Sequence, residues 1–355
     1  MTPNLPPVVF DHQELLLDYA NYEVIVDDME AALQRFVAVY YSEILTLCKL
    51  SDTTNITQLK FDAAGAGASK FVYSLTLEVS DDQVSSPILG IRLYNSMDKM
   101  PDADAWYECA EEYRVDKEVF DQRLHQAILD ETLLYHEFTE AAEAGVRIHN
   151  AWLRFQPKEA NTALPLHYID DNELKRWFVN LGLNAITLGE FIIGYDSRKL
   201  LERDNFELEE RLHTVVETCR TLLDMWFFTR AMERGGEGRC IADLKPAQFV
   251  MQWPNMHRAD RLPSVIIDVG PAENTDDITQ CYRTLEYMRS LLPAFARQML
   301  GHIKLDEEAH KQALHDVFDR LNRHVEVLKR QASAPDLPVL DELQRPFREQ
   351  LNNGL

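Results

Sequence analysis

The sequence predicts an α+β protein with two lobes, a small β-rich N-terminal lobe and a larger helical C-terminal lobe, preceded by a helical extension. Strand-like runs rich in Ile, Val, Tyr and Phe cluster in residues 56–95. Apolar residues at helical spacing run from Phe206 to Met232 and predict a central buried helix, with Trp226, Phe227 and Phe228 in the core. Further amphipathic stretches continue to about Leu328. A chain of 355 residues can bury a large core and form two such lobes. The predicted boundaries are 1–55 for the extension, 56–190 and 191–330 for the lobes, and 331–355 for a C-terminal tail.

Composition and charge restrict the class of function. Hydrophobic residues make up 46% and charged residues 27% of the chain, as in ordinary soluble proteins. The formal net charge of −23 argues against a general binder of nucleic acid or anionic membranes, whose surface is basic. A nucleotide site stays possible, because a few local cations and backbone N–H groups suffice for a phosphate.

The cysteines and the start of the chain indicate a cytoplasmic protein. The five cysteines are odd in number, scattered and without a CxxC pair, so they suggest neither a disulfide framework nor a zinc site. The chain does not begin with a basic and then apolar signal peptide, and it contains no apolar run of spanning length. Delivery of such a protein into another cell is compatible with the same features.

The two ends of the chain are predicted from periodicity and breaks. Apolar residues at i, i+3 and i+4 steps predict a helix within the N-terminal extension, including Met29, Leu33, Phe36 and Val37. At the other end, a Ser/Ala/Pro break at 332–338 predicts a short polar tail.

Two features of the strand-rich region suit a phosphate ligand. A small-residue loop at 63–69, containing Gly65, Gly67 and Ser69, separates the first two runs and would let the backbone approach a ligand. A plain hairpin uses the same residues. Arg92 lies within the third run, and strand alternation places it on the opposite face from Ile91 and Leu93. It is either a solvent-facing cation or a fixed charge directed at phosphates.

The middle of the chain is predicted to connect the lobes. Residues 103–150 have a helical pattern that stops at Gly145, and several glutamates, among them Glu131 and Glu137, lie in its second half. Strand-like runs return at 151–156 and 176–183, separated by a polar loop, and a third run at 184–194 leads to a glycine-containing connector.

The stretch from Cys240 to Gly270 carries the clearest chemical signal. Asp243, Lys245 and Gln248 precede one short apolar run, and Asp268 closes a second run after an insert at 252–263. A hairpin of these runs would bring the four polar side chains to one end of a small sheet. Such a site fits phosphoryl transfer, with Asp243 as the base, Lys245 contacting phosphate, and Gln248 and Asp268 as metal ligands.

Over residues 56–325 the order of these parts resembles the protein-kinase-like fold. The most specific piece is Asp-Leu-Lys-Pro at 243–246 followed by the amide of Gln248, and Val-Ile-Ile-Asp-Val-Gly at 265–270 reinforces it. The insert explains a spacing between the two acids that is a few residues longer than usual. Arg92 in place of the usual Lys is similar to choline-kinase-like members. The helix ending near Gly145 is similar to that of RIO-like and aminoglycoside-kinase-like members.

The resemblance implies an atypical kinase that uses ATP and Mg²⁺ or Mn²⁺ to phosphorylate a hydroxyl. Gly65, Gly67, Ser69 and Arg92 would position the nucleotide, and Glu137, with Glu131 as the next choice, would pair with Arg92. Lys245 directs the first substrate prediction to a protein Ser or Thr. The Arg92 exchange and the lack of an Ala-Pro-Glu segment after Gly270 point to a small molecule.

Two other interpretations stay open. Arg92, Gln248 and Ile241, which stands where many protein kinases have His, are departures that favour a pseudokinase acting as a nucleotide-binding interaction module. Alternatively, Asp243 and Asp268 are turn residues beside core strands of an unrelated α+β protein, since Asp is common at such positions.

Overall fold

The chain folds into two compact units; the described residues up to Phe191 belong to the first unit, and those from Ile192 onward belong to the second. The computed structural model describes residues 5–18, 26–51, 53–66, 70–80, 85–94, 151–154, 166–171, 174–179, 186–241, 244–252, 264–267 and 282–352. Strands dominate the first unit and long helices the second, so the predicted α+β class is confirmed. Within these ranges, no helix combines the length and the apolar character that crossing a membrane requires.

The first unit is built on a six-stranded sheet. Its strands are β1 (Val8–Asp11), β2 (Ile56–Ala66), β3 (Lys70–Val79), β4 (Ile88–Tyr94), β5 (Ala151–Arg154) and β8 (Ile186–Glu190), in the order β1-β2-β3-β4-β8-β5. β1 runs parallel to β2, and the other neighbours are antiparallel. β6 (Leu166–Asp171) and β7 (Leu174–Val179) form a separate hairpin. The polar loop predicted before residue 176 is therefore partly strand β6.

One face of this sheet packs on a helix. The unit has two described helices, α1 (Gln13–Asp18) and α2 (Val26–Leu47). The apolar stripe of α2 predicted from the sequence is buried, with Leu33 and Phe36 both at 0% exposure, against alternate strand residues such as Phe61, Tyr73 and Ile91. Burial of each such side chain contributes about 1.5–3 kcal/mol, so this packing fixes the sheet face.

The N-terminal segment is integrated into the first unit, which corrects the predicted separate extension. β1 adds an edge strand by pairing Val8 with Leu59 through to Asp11 with Asp62. Next to it, His12 Nδ1 lies 3.2 Å from Tyr73 Oη, and His12 Nε2 lies 3.0 Å from Glu30 Oε1. The predicted boundary at residue 55 does not hold, because the apolar face of α2 needs the sheet to cover it.

The second unit is mainly helical. Its helices are α3 (Ser197–Glu202), α4 (Leu208–Phe228), α5 (Leu285–Leu300), α6 (Glu307–Gln331) and α7 (Leu337–Asn352). Its strands are β9 (Gly194–Asp196), β10 (Gly238–Arg239), β11 (Phe249–Gln252), β12 (Val265–Ile266) and β13 (Tyr282–Arg283). They form a three-stranded sheet in the order β12-β11-β9 and a two-stranded β10-β13 pair.

Helix α4 is the buried helix that the sequence predicts. Its first turn is closed by the Glu210 carboxylate, which accepts the Glu207 N–H at 3.0 Å. Trp226 and Phe227 are buried at 0% and 7% exposure, but Phe228 is 40% exposed. The prediction that all three aromatics are core is wrong for Phe228, because each helical residue turns about 100° from the one before.

The C-terminal tail is a packed helix, which corrects the predicted polar tail. Leu340, Leu343 and Phe347 of α7 follow i, i+3, i+7 spacing and are at most 1% exposed. The ring of Phe347 lies 5.6 Å from that of Phe318. Pro338, which looks like a break in the sequence, lies in the first turn of α7, where a helix tolerates proline.

Candidate active site

The two apolar runs of the Cys240–Gly270 stretch pair as an antiparallel hairpin, as predicted. Phe249 of β11 faces Ile266 of β12, and Val250 faces Val265. On its other edge β11 pairs with β9, with Val250 opposite Asp196. β11 is thus the central strand of this sheet, and its backbone pairs with a neighbouring strand on each edge.

A single turn of 3₁₀ helix, Pro246–Gln248, leads into β11. The two described polar residues of the motif flank this turn, with Lys245 directly before it and Gln248 at its end. The Gln248 N–H donates to the Lys245 carbonyl at 3.1 Å, and the Lys245 N–H donates to Gln248 Oε1 at 2.8 Å. Proline suits the first position of this turn because its φ is already fixed. Gln248 is 9% exposed, whereas Lys245 is exposed to solvent. The Gln248 amide oxygen therefore closes the turn with one lone pair and keeps a second.

Lys245, Gln248 and Ile267 lie at one end of the three-stranded sheet. The Ile267 N–H donates to the Gln248 carbonyl at 2.9 Å, which extends the β11–β12 pairing by one bond. Asp243 and Asp268 lie outside the described residues, directly before Leu244 and directly after Ile267 in the sequence. Their arrival at this end of the sheet stays a prediction.

In the first unit, strand register places Gly65 and Arg92 in one row. Gly65 pairs with Val72, Val72 with Arg92, and Arg92 with Thr187. Adjacent strands are about 4.8 Å apart, so the Gly65 and Arg92 backbones are separated by roughly 10 Å. The sheet therefore brings the first glycine of the predicted loop and the predicted phosphate cation onto the same face.

The predicted small-residue loop begins later than expected. Gly65 lies inside β2, after a bulge that follows Ala63, and a Cβ added to Gly65 would have nothing within 4 Å. The described neighbours thus do not require glycine there. Gly67 and Ser69 lie outside the described residues, so their part in a phosphate loop stays a prediction.

Arg92 is buried, at 5% exposure, so the solvent-facing interpretation is wrong. Its neighbours Ile91 and Leu93, at 0% and 3% exposure, belong to the core beneath the sheet. A buried cation is costly unless partners surround it, and Arg92 does have interaction partners. Glu137, the predicted partner, lies outside the described residues.

Sequence reasoning missed four buried hydroxyls next to the hairpin. Thr218 and Thr221 of α4 are at 0% and 1% exposure, and Ser197 and Ser264 are both at 0%. Ser197 Oγ lies 3.0 Å from Thr218 Oγ1, and Ser264 Oγ lies 2.8 Å from Thr221 Oγ1. The one available signal was the position of both threonines within the apolar pattern of α4.

Helix α4 also carries buried titratable groups. Glu217 is 4% exposed, and its carboxylate accepts a bond from Arg220 at 2.6 Å. Burial raises the pKa of Glu217, and the Arg220 charge opposes that shift in part. Nearby, His324 of α6 lies 2.6 Å from Asp224 of α4. Within the described ranges, no group of three His, Cys, Asp or Glu side chains could hold a metal ion.

Comparison with known proteins returns kinase domains. No family model and no curated protein sequence matches the chain. Among solved structures, the chain is similar to the PknI kinase domain of Mycobacterium tuberculosis. One structure matches at 14% identity over 72% of this chain and 75% of that chain, with a TM-score of 0.31. A second matches at 13% identity over 86% and 96%, with a TM-score of 0.30.

A third structure of this kinase domain is also similar. A doubly substituted form of the same domain matches at 14% identity over 85% of this chain and 96% of that chain, with a TM-score of 0.32.

Proposed function

We propose that the protein is an ATP- and Mg²⁺-dependent phosphotransferase of atypical kinase type, which transfers the γ-phosphate to a hydroxyl. The observation that carries the proposal is the end of the β11–β12 hairpin. There Lys245, Gln248 and Ile267, which precedes Asp268, meet through hydrogen bonds of 2.8 and 2.9 Å. A cation, an amide oxygen and two acids brought to one strand end would be a suitable set for phosphoryl transfer.

Gln248 and Asp268 would hold the metal. Carboxylate and amide oxygens are the hard ligands that Mg²⁺ and Mn²⁺ prefer. Gln248 fits this role because its amide oxygen is fixed by the Lys245 N–H and retains a lone pair. When bound, the ion neutralises charge on the phosphate oxygens.

The remaining residues of the hairpin would act on the acceptor and the phosphate. Asp243 orients the acceptor hydroxyl and accepts its proton, and Lys245, whose side chain is exposed, contacts the transferred phosphoryl group. Lys245 favours a protein Ser or Thr as the acceptor. A small-molecule hydroxyl is the other candidate.

The first unit would position the nucleotide. The backbone from Gly65 through Gly67 to Ser69 would approach the phosphates, and the buried guanidinium of Arg92, oriented by Glu137, would bind them. Support comes from the shared row of Gly65 and Arg92 and from the burial of the cation.

The free thiols of Cys48, Cys219 and Cys240 fit a protein of the cytoplasm.

Transfer from labelled ATP in the presence of Mg²⁺ or Mn²⁺ tests the proposal. We expect Asp268→Asn to abolish metal-dependent ATP turnover, because it removes a charged metal ligand. Asp260→Asn, a matched exchange in the insert between the two halves of the motif, should leave turnover unchanged. Full turnover by Asp268→Asn would show that Asp268 is not a metal ligand and would contradict the proposed mechanism.

A thermal-shift titration with ATP tests the proposed nucleotide site of the first unit. Arg92→Met should weaken ATP binding by at least about tenfold, the scale of one lost charge-assisted phosphate contact. Lys60→Met changes a half-buried cation of the same sheet, which is paired with Asp62 at 2.7 Å, and should leave binding unchanged. Equal ATP affinity in the two variants would exclude Arg92 from the nucleotide site.

A pseudokinase is the second candidate, and the Gln248–Lys245 bond favours it. The oxygen predicted to bind metal already has a structural role in closing the turn. ATP-induced stabilisation that does not depend on Mg²⁺, without turnover, would favour this candidate. Stabilisation that requires Mg²⁺, together with turnover, would favour the enzyme.

A further inference from the structure

Strand β12 has little backbone pairing to fix its register. It consists of Val265 and Ile266, and its described pairing is Phe249 with Ile266 and Val250 with Val265. The Ile267 N–H adds one bond to the Gln248 carbonyl at 2.9 Å. A shift of one residue would change which side chains and backbone groups meet at the Gln248 end.

Hydrophobic burial does not choose between registers here. Val265 and Ile266 are at 1% and 0% exposure, so both faces of β12 are covered. Strand register is normally specified because a slip would expose the apolar face to water. A slip that moves Ile267 into the row of Ile266, and Ile266 into the row of Val265, would keep apolar side chains in both buried rows.

A buried pair of hydroxyl groups distinguishes the observed register of β12 from a shifted one. Ser264, the residue before β12, has its Oγ 2.8 Å from Thr221 Oγ1, and Thr221 Oγ1 donates to the Glu217 carbonyl at 2.9 Å. Ser264 and Thr221 are at 0% and 1% exposure. A slipped strand would separate them, leaving a buried hydroxyl without its partner, which is costly. A buried polar pair can specify register in this way, as an asparagine does in a coiled coil.

We infer that the Thr221–Ser264 pair fixes the register of β12 against β11 and so positions the Gln248 end of the hairpin. Ser264 and Ile267 are three residues apart, about 10 Å along an extended strand, so holding one sets where the other meets Gln248. Thr221 and Ser264 are positioning residues in this scheme. The consequence for metal binding rests on the proposed function.

The chain contains a matched control on the same helix. Thr218 lies one helical turn from Thr221, is equally buried, and pairs with Ser197 Oγ at 3.0 Å. Ser197 follows β9, so this second pair contacts the edge strand opposite β12 in the three-stranded sheet. Thr221→Val and Thr218→Val thus remove the same hydroxyl from similar surroundings, but only the first affects β12.

Amide hydrogen exchange at Ile267, measured by NMR on the full chain, tests the inference without reference to catalysis. Both variants should lower Tm by a similar few degrees. We expect Thr221→Val to accelerate exchange at Ile267 by roughly tenfold more than Thr218→Val does. Ser264→Ala should reproduce the effect and serves if Thr221→Val fails to fold. Ser264→Thr, which keeps a hydroxyl, should retain protection.

Equal exchange at Ile267 in the two threonine variants would overturn the register role. Mn²⁺ binding in the presence of ATP, measured by electron paramagnetic resonance, tests the consequence for the site. We expect Thr221→Val, but not Thr218→Val, to bind Mn²⁺ more weakly. If amide exchange at Ile267 were faster in Thr221→Val while its Mn²⁺ affinity stayed unchanged, the effect of the hydroxyl pair on the metal site would be overturned. If the unsubstituted protein binds no Mn²⁺ with ATP, the proposed function fails, and the exchange comparison still decides the register.

Discussion

Substitution of Gln248 separates its structural role from its predicted metal role. The side chain is 9% exposed and accepts the Lys245 N–H at 2.8 Å. Gln248→Ala loses one hydrogen bond worth about 1 kcal/mol and one buried methylene worth about 0.8 kcal/mol. We expect a loss of roughly 2 kcal/mol in the free energy of unfolding, or about 4–8 °C in Tm for a unit of this size. Metal affinity should fall as well.

Gln248→Glu keeps an acceptor oxygen for the Lys245 N–H and adds a negative charge. Its stability should therefore stay closer to that of the unsubstituted protein than the stability of Gln248→Ala. Its affinity for Mn²⁺ in the presence of ATP should rise by about tenfold or more, because ligand charge strengthens binding of a hard cation. Gln252→Ala, at the other end of β11, is the matched control and should not change metal affinity.

Urea denaturation and electron paramagnetic resonance of Mn²⁺ provide the two readouts. A metal role for Gln248 is contradicted if Gln248→Ala loses stability while both Gln248 variants bind Mn²⁺ as the unsubstituted protein does. Gln248 would then serve only to close the turn. That result would leave Asp268 without its predicted partner and favour the pseudokinase.

Two further predictions concern the packing of the second unit and its pH dependence. Gly194→Ala should destabilise by about 3 kcal/mol or more, since its Cβ would lie 2.0 Å from the Met251 carbonyl oxygen. Gly65→Ala, with nothing within 4 Å, should stay within about 0.5 kcal/mol in the same urea assay, and equal losses would contradict the packing. Burial raises the folded-state pKa of Glu217, so its contribution to stability falls as pH rises from the unfolded pKa through the folded one. Gln does not titrate, so the stability of Glu217→Gln relative to the unsubstituted protein should rise over that window, and a constant or falling difference would contradict the shift.

The hairpin could be predicted because its signal is local. Two apolar runs separated by an insert predict paired strands, and the pairing of Phe249 with Ile266 confirms it. The Asp-Leu-Lys-Pro sequence fixes the turn chemistry, since proline suits the first position of the turn that Gln248 closes. The row that joins Gly65 to Arg92 could not be predicted, because it depends on the register between three strands.

The errors arose where packing decides the outcome. The burial of Arg92 depends on which elements cover the sheet, and alternation alone gives a face without saying whether it is solvated. Residues 337–352 contain two prolines and look like a polar tail, yet Leu340, Leu343 and Phe347 make an amphipathic stripe that packs as α7. The N-terminal helix was predicted, but its place in the core of the first unit depends on contacts between distant residues.

The α+β class, the buried helix α4 and the pairing of the two apolar runs of the Asp243–Asp268 motif could all be predicted from the sequence alone. Each follows from periodicity or turn chemistry within a short window. The burial of Arg92 and the contact between Thr221 and Ser264 beside β12 depend on tertiary packing. These features join residues far apart in the chain. They are set by which surfaces exclude water and by which buried polar groups find a partner.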